Sequence, residues 1–253
     1  RLVEAGVFRR RTGSDGGRRL EYWLAEAGLD LWEPLAAIYR WSNRWQHPDG
    51  RERLWFRHIR CGHVCDLTLS CSSCAQELTP FNTYAEPGPG AGMEQRVLPH
   101  ARRRANSALR HGERYLGSTG ALAMFGDMWS PVIVASAFRG IRRFNDLAAY
   151  TRLPPLVLSM RLKELIALGV LTRRQIDEGG RFEAFHLTRK GLDLFPYIAM
   201  LAKWGDRWCD DGTGVPLVFH HRDCGHAYSP VYRCSHCGGR VRRGEVELLA
   251  DRR

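Results

Sequence analysis

Residues 153–174 read LPPLVLSMRLKELIALGVLTRR. Leu158, Leu162, Leu165 and Ile166 fall at i, i+4, i+7 and i+8, which puts them on one face of a helix. The Pro154–Pro155 pair marks a turn ahead of it, and Gly169 marks its end, where a left-handed residue is usual. Val170–Arg174 then has the composition of a strand. The stretch is a turn, an amphipathic helix and a strand. Its outward positions are Leu156, Val157, Met160 and Lys163.

Working outward, Trp129, Val132, Ile133, Ser136 and Ala137 give 129–139 a helical period. Arg142–Tyr150 is a further helix burying Phe144, Leu147 and Ala148, with 120–125 a short helix before them. Phe182–Leu187 is expected to pair with Val170–Arg174 around Glu178–Gly180. Thr188 is placed to cap a long helix that runs to Trp208. Two helices across a tight turn, followed by a two-stranded wing, make a winged helix-turn-helix.

Sliding the chain by 163 positions aligns it with itself without a gap. Gly28-Leu29-Asp30-Leu31 meets Gly191-Leu192-Asp193-Leu194. Trp41, Arg44 and Trp45 meet Trp204, Arg207 and Trp208. Over 6–74, 25 of 69 pairs are identical. The chain is therefore read as a tandem duplication. Its first copy enters at the end of the helix-turn-helix, as if truncated at the N-terminus. Val7–Arg11 and Arg19–Leu24 form its wing, and residues 25–45 its long helix.

Each copy continues into a Cys/His pattern: His58, Cys61, Cys71 and Cys74 in the first, His221, Cys224, Cys234 and Cys237 in the second. Two ligand pairs of x-x spacing, joined by a short hairpin, can close a tetrahedral zinc site. Gly62, Gly225 and Gly238 follow ligand pairs where a tight backbone turn is needed, and Ala75 departs from this. The pattern resembles a zinc ribbon with His in place of the first Cys. His63 and His226 compete with His58 and His221 as ligands. Cys65 and Cys209 have no counterpart and are read as ordinary small residues. With eight cysteines, six of them in these pairs, metal chemistry in a reducing compartment is favoured over disulfides.

The fold expected is mainly α with small β wings (α+β). The domains are the end of the first winged-helix copy (1–47), a first ribbon-like module (48–79) and a linker (80–104). A complete winged helix-turn-helix (105–209), with a helix near 105–116, and a second ribbon-like module (213–245) follow. Pro80, Pro87, Gly88, Pro89, Gly90 and Gly92 argue against a continuous element in the linker, and the chain ends in a polar tail.

The formal net charge is +11 and 44% of residues are hydrophobic, enough for a core and suited to an acidic partner. Three lysines among 38 basic residues leave 35 arginines, a bias that composition alone could produce. The cations matter where they meet the fold. Arg142 and Arg143 stand at a helix start, which suits a phosphate. Arg173, Arg174 and Arg181 flank the wing, and Arg10, Arg11 and Arg18 repeat that pattern. Ser159, Arg161 and Lys163 are the polar candidates on the reading helix, although Arg161 could equally pack on the surface in a salt bridge. The basic run His100–Arg104 is read as a solvated face. No apolar run approaches a membrane span. There is no P-loop, GxGxxG, HExxH or paired acid/base pattern, so no enzyme is expected.

MFGDMWS at 124–130, RRFNDL at 142–147 and LSMRLKELIALGVLTRR at 158–174 together resemble the HxlR family, bacterial regulators related to the MarR type. The resemblance continues through Phe182–Leu187, Thr188, Gly191 and Trp204. It implies double-stranded DNA as partner, a cytoplasmic, nucleoid-associated setting, and a dimer in which the first and last helices of the domain pair and leave two reading helices to face DNA, here as an intramolecular pseudo-dimer or a homodimer. It implies a transcriptional regulator, a repressor first, with a small-molecule effector open. The cysteine that oxidant-sensing members carry corresponds to Leu116, so no thiol switch is implied there. Against it stands a protein-interaction module that has lost DNA readout, which the apolar outward face of the reading helix would suit.

Overall fold

The computed structural model describes residues 2–12, 20–46, 53–92, 128–176 and 183–250. Arg18, Arg181, the run at 100–104 and the helices expected at 105–116 and 120–125 lie outside the described residues. Residues 2–6 form turns.

The first copy contributes a hairpin of β1 (Phe8–Thr12) and β2 (Leu20–Leu24), then helices α1 (Glu26–Asp30) and α2 (Trp32–Trp45). The second contributes α3 (Trp129–Phe138), α4 (Phe144–Thr151), α5 (Pro155–Ala167), the wing β7 (Leu171–Gln175) and β8 (Glu183–Leu187), α6 (Arg189–Leu192) and α7 (Phe195–Trp208). The two wings, and α2 and α7, occupy ranges 163 positions apart.

The helix-turn-helix is held by the face that its spacing selects. Leu158, Leu162 and Leu165 of α5 are buried against Ile133, Val134, Leu147 and Phe185. Each such side chain contributes about 1.5–3 kcal/mol of burial. Pro155 opens α5, where its missing N–H costs nothing, and Arg152 makes the preceding turn in the left-handed region (φ 54°). The helix closes in a Schellman motif. The Val170 N–H donates to Leu165 O at 2.9 Å and Gly169 N–H to Ile166 O at 2.9 Å, with Gly169 at φ 70°.

Three helices differ from expectation, and the one expected over 25–45 is divided at Leu31 into α1 and α2. Arg142 and Arg143 precede α4 rather than start it. Arg143 is extended (φ −85°, ψ 148°) and bridges Ala184, while the Phe185 N–H donates to Arg142 O at 2.8 Å. These residues extend the wing instead of the helix. The expected single helix from Thr188 to Trp208 is broken at Asp193–Leu194. The Thr188 hydroxyl caps α6 by accepting from the Gly191 N–H at 3.1 Å. Helix α7 then restarts with Pro196 in its first turn, where no N–H is needed. Gly191 and Gly28 sit at equivalent close approaches. A Cβ would fall 2.3 Å from Val170 O and 2.2 Å from Val7 O, respectively.

The copies pack on one another through α2 and α7 by reciprocal contacts. The Trp41 indole donates to Lys190 O at 2.9 Å, and Trp204 to Ala27 O at 2.7 Å. Trp45 donates to Asp193 at 2.9 Å, and Trp208 to Asp30 at 3.1 Å. Trp41 also enters the core of the second copy's helix-turn-helix.

The Cys/His regions depart furthest from expectation. Strands β3 (Leu54–His58), β4 (Val64–Cys65), β5 (Leu67–Cys71) and β6 (Thr83–Pro87) share three sheets with β9 (Leu217–His221), β10 (Pro230–Cys234), β11 (Arg240–Val241) and β12 (Val246–Ala250), β4 pairing with β3 and β11 with β10 within their own copies. Strand β5 pairs antiparallel with β10, β3 with β12 and β6 with β9. In the β5–β10 ladder Leu69 faces Tyr232, its own equivalent 163 positions on. The modules at 48–79 and 213–245 are thus not self-contained. The linker from 80 includes β6, with Pro87 tolerated at its last position, and the polar tail includes β12. The physical reason is a shared core. Leu67, Leu69, Cys71 and Phe56 of one copy are buried with Tyr228, Tyr232, Cys234 and Val241 of the other, beneath Ala36 of α2 and Met200 of α7.

Candidate nucleic-acid interface and Cys/His clusters

Helix α5 presents Leu156, Met160 and Lys163 to solvent. Leu156 is 74% exposed and Met160 51%. Val157 is half-buried against the helix-turn-helix core, so it is not outward as its spacing suggested. Ser159 and Arg161 are half-buried, and Arg161 pairs with Glu164 at 2.6 Å. On one side of this face Arg143, Asp146, Ser159, Lys163, Arg173 and Glu183 line a cleft between α4, α5 and the wing. Arg173 is bound to Glu183 at 3.2 Å. Arg142, Arg143 and Arg174 are exposed.

His186 was not anticipated. Its pKa is lowered, first by burial and then by Arg142 and Arg174, whose guanidinium charges oppose a third positive charge. The two arginines, 32 positions apart in sequence, thus bear on one spot. No spacing rule would have found it, because the contact depends on residues 142–143 joining the wing. The first copy carries Arg9, Arg10 and Arg11 exposed on β1.

The eight ligand candidates gather in two groups, each with ligand atoms within 4.8 Å of one another. One is His58, Cys61, Cys234 and Cys237; the other is Cys71, Cys74, His221 and Cys224. Each group takes His-x-x-Cys from one copy and Cys-x-x-Cys from the other, against the expectation of one site per copy. His58 Nδ1 lies 3.4 Å from Cys237 Sγ, and His221 Nδ1 3.3 Å from Cys74 Sγ. Between His58 and His63, and between His221 and His226, it is the first that faces the cysteines. His63 instead stacks on His236 with centroids 3.7 Å apart, beside Cys61.

All four ligand pairs end in the same turn. The N–H of Gly62, Ala75, Gly225 and Gly238 donates to the carbonyl of His58, Cys71, His221 and Cys234, at 2.8, 3.0, 2.8 and 2.9 Å. Ala75 adopts φ 67°, so the residue that broke the glycine pattern keeps its conformation. Burial opposes the thiolate of Cys234. The backbone N–H groups of Cys237 and His236, with hydrogen bonds from Cys65 and Cys237, outweigh it and bring its pKa down to about 6. Cys71, its equivalent, is lowered by the same balance: burial against the backbone of Cys74 and Ser73 and the thiols of Cys74 and Cys224. Cys65 lies buried beside Cys234, and burial followed by that hydrogen bond pushes it up to about 12. Cys209 is exposed.

Three helices around a buried leucine row, with a two-stranded wing set beside the second helix of the turn, define a winged helix-turn-helix protein. The profile of the HxlR-like helix-turn-helix family matches residues 124–213. The uncharacterized HTH-type transcriptional regulator MT3179 of Mycobacterium tuberculosis is 36% identical over 121 residues, 48% of this chain and 77% of that protein. The uncharacterized HTH-type transcriptional regulator YvaP of Bacillus subtilis is 36% identical over 91 residues, 36% of this chain and 84% of that protein. The crystal structure of PA1607 is 29% identical and covers 53% of this chain and 95% of that one, at a TM-score of 0.45. The chain belongs to the HxlR-like helix-turn-helix family, as a regulator of the helix-turn-helix type and not an enzyme. Among the described residues no helix is long and apolar enough to cross a membrane.

Proposed function

We propose that the chain is a DNA-binding transcriptional repressor that lays α5 in the major groove of double-stranded DNA, in the cytoplasm at the nucleoid. The observation that carries this reading is the arrangement around α5. Beside its free face Arg143 and Lys163 line the cleft towards the wing, and Arg142 and Arg174 are exposed where they bear on His186, a group of cations suited to backbone phosphates along one side of the helix. Leu156 and Met160 at the centre do not suit bidentate recognition of purine edges. They suit apolar contact with thymine methyl groups, with Lys163 beside them for a phosphate or guanine. The two copies act as a pseudo-dimer in this reading. The reciprocal tryptophan contacts of α2 and α7 support it, because they fix one wing relative to the other.

Selection of binding sites from a random duplex library, followed by replacement of thymine with uracil in the selected site, tests this reading. The expected result is a thymine-containing site whose affinity falls when the methyl groups are removed. Failure to enrich any duplex would overturn it. It would favour a second reading, in which the exposed Leu156 and Met160 enter the groove of a protein partner.

A further inference from the structure

We infer that the chain holds two zinc ions, each bound by the His-x-x-Cys pair of one copy and the Cys-x-x-Cys pair of the other, so that the metals staple the two copies together. The first site is His58, Cys61, Cys234 and Cys237; the second is Cys71, Cys74, His221 and Cys224. This inference does not rest on DNA binding.

The donor chemistry points to zinc. Three thiolates and one imidazole form a soft-to-borderline set of four, which suits a closed tetrahedral structural site rather than a catalytic one with an open position. The imidazole Nδ1 atoms face the sulfurs, as Nδ1 ligation requires. The outer nitrogens are buried without a hydrogen-bond partner. His221 Nε2 lies 3.2 Å from the Asp223 carboxylate, badly aligned for a hydrogen bond but close enough to orient the ring as an outer partner would. All four pairs carry the knuckle turn, Ala75 included, although a non-glycine residue is strained at φ 67°. A single ornamental turn could be chance, whereas four equivalent ones aimed in pairs at two points argue for two ions.

The exchange of partners is what gives the ions their role. Cys61 and Cys234 are 173 positions apart, and Cys71 and Cys224 are 153 apart. Ligation within one copy would close a short hairpin and add no link between the copies. Ligation across copies closes the chain over most of its length and locks the β5–β10 and β3–β12 ladders in register. Binding proceeds with loss of the thiol protons, and no oxidant or reductant takes part.

Metal counting on paired variants of the full chain tests the inference. The wild type is expected to carry two zinc ions per chain by elemental mass spectrometry. Cys61→Ser with Cys237→Ser removes ligands from one site and is expected to leave one zinc. Cys61→Ser with Cys74→Ser removes a ligand from each site and is expected to leave none. The opposite pattern, or a wild type without zinc, would overturn it. Should either variant fail to fold, cadmium-113 substitution of the wild type decides. Proton–cadmium correlations are expected to join Cys61, Cys234 and Cys237 to one cadmium and Cys71, Cys74 and Cys224 to the other. Correlations joining Cys61, Cys71 and Cys74 would overturn the inference.

Discussion

At the residue scale, His186 reports on Arg142 and Arg174, the cations gathered at the wing. Burial and the charges of Arg142 and Arg174 lower its pKa, so it is neutral near pH 7. Arg174→Ala removes one of the three causes. The His186 pKa should therefore rise part of the way towards its ordinary value, as followed by the imidazole proton shifts in an NMR titration. Phosphates placed on the same arginines would also raise it. DNA binding should then take up protons, and affinity should grow as pH falls through the ordinary histidine range of about 6.5. Affinity that is flat with pH would place the phosphates elsewhere. The buried row of α5 makes a simpler test. Leu158 is wholly buried, and Leu158→Ala should cost about 2–5 kcal/mol in urea unfolding. That row was legible in the sequence, since periodicity places Leu158, Leu162 and Leu165 together whatever surrounds them. The outward positions were less so. Val157 is half-buried against the core and Arg161 is engaged by Glu164, both decided by neighbours that spacing does not show.

At the element scale, the long helices carry the contact between copies. Trp41 is 2% exposed and donates to Lys190 O; Trp204 makes the equivalent bond from a half-buried position. Trp41→Phe removes the donor and leaves a carbonyl behind, at a cost of about 1–3 kcal/mol. Trp204→Phe should cost less, because water reaches its site. Equal losses in paired denaturation curves would contradict this account of the packing. The 163-residue offset makes the ranges of the wings and of α2 and α7 legible from the chain's own self-similarity. The breaks before α2 and α7 are not read off by periodicity, although Pro34 and Pro196 fall in the first turns of the restarted helices, and Asp30 and Asp193 beside the breaks receive indoles from the other copy. Strands β6 and β12 also escape. Thr83–Pro87 and Val246–Ala250 share no identity at the repeat offset, and each finds its ladder only on the other copy.

At the scale of the whole molecule, the duplication produces one body. The ribbon strands of both copies close a single core, and the ligand pairs change partners across it. The spacing identified all eight ligand candidates, because x-x pairs with a turn residue behind them are a local feature. It could not say which pairs meet. That depends on β5 pairing with β10 instead of folding back within its own copy. If zinc staples the copies, a strong chelator should lower the melting temperature and split a single unfolding transition into two, and added zinc should restore both. Unchanged calorimetric melting in chelator would contradict a structural role for the metal.

The most direct measurement of the DNA-binding account is the salt dependence of affinity for a selected duplex, compared between wild type and the triple variant Arg142→Glu, Arg143→Glu and Arg174→Glu. The wild type should lose affinity steeply with salt, on a logarithmic slope of about 0.9 for each phosphate contacted. The variant should bind far more weakly, with a slope shallower by roughly three contacts. Equal affinities and equal slopes would show that these arginines do not meet DNA and would contradict the account.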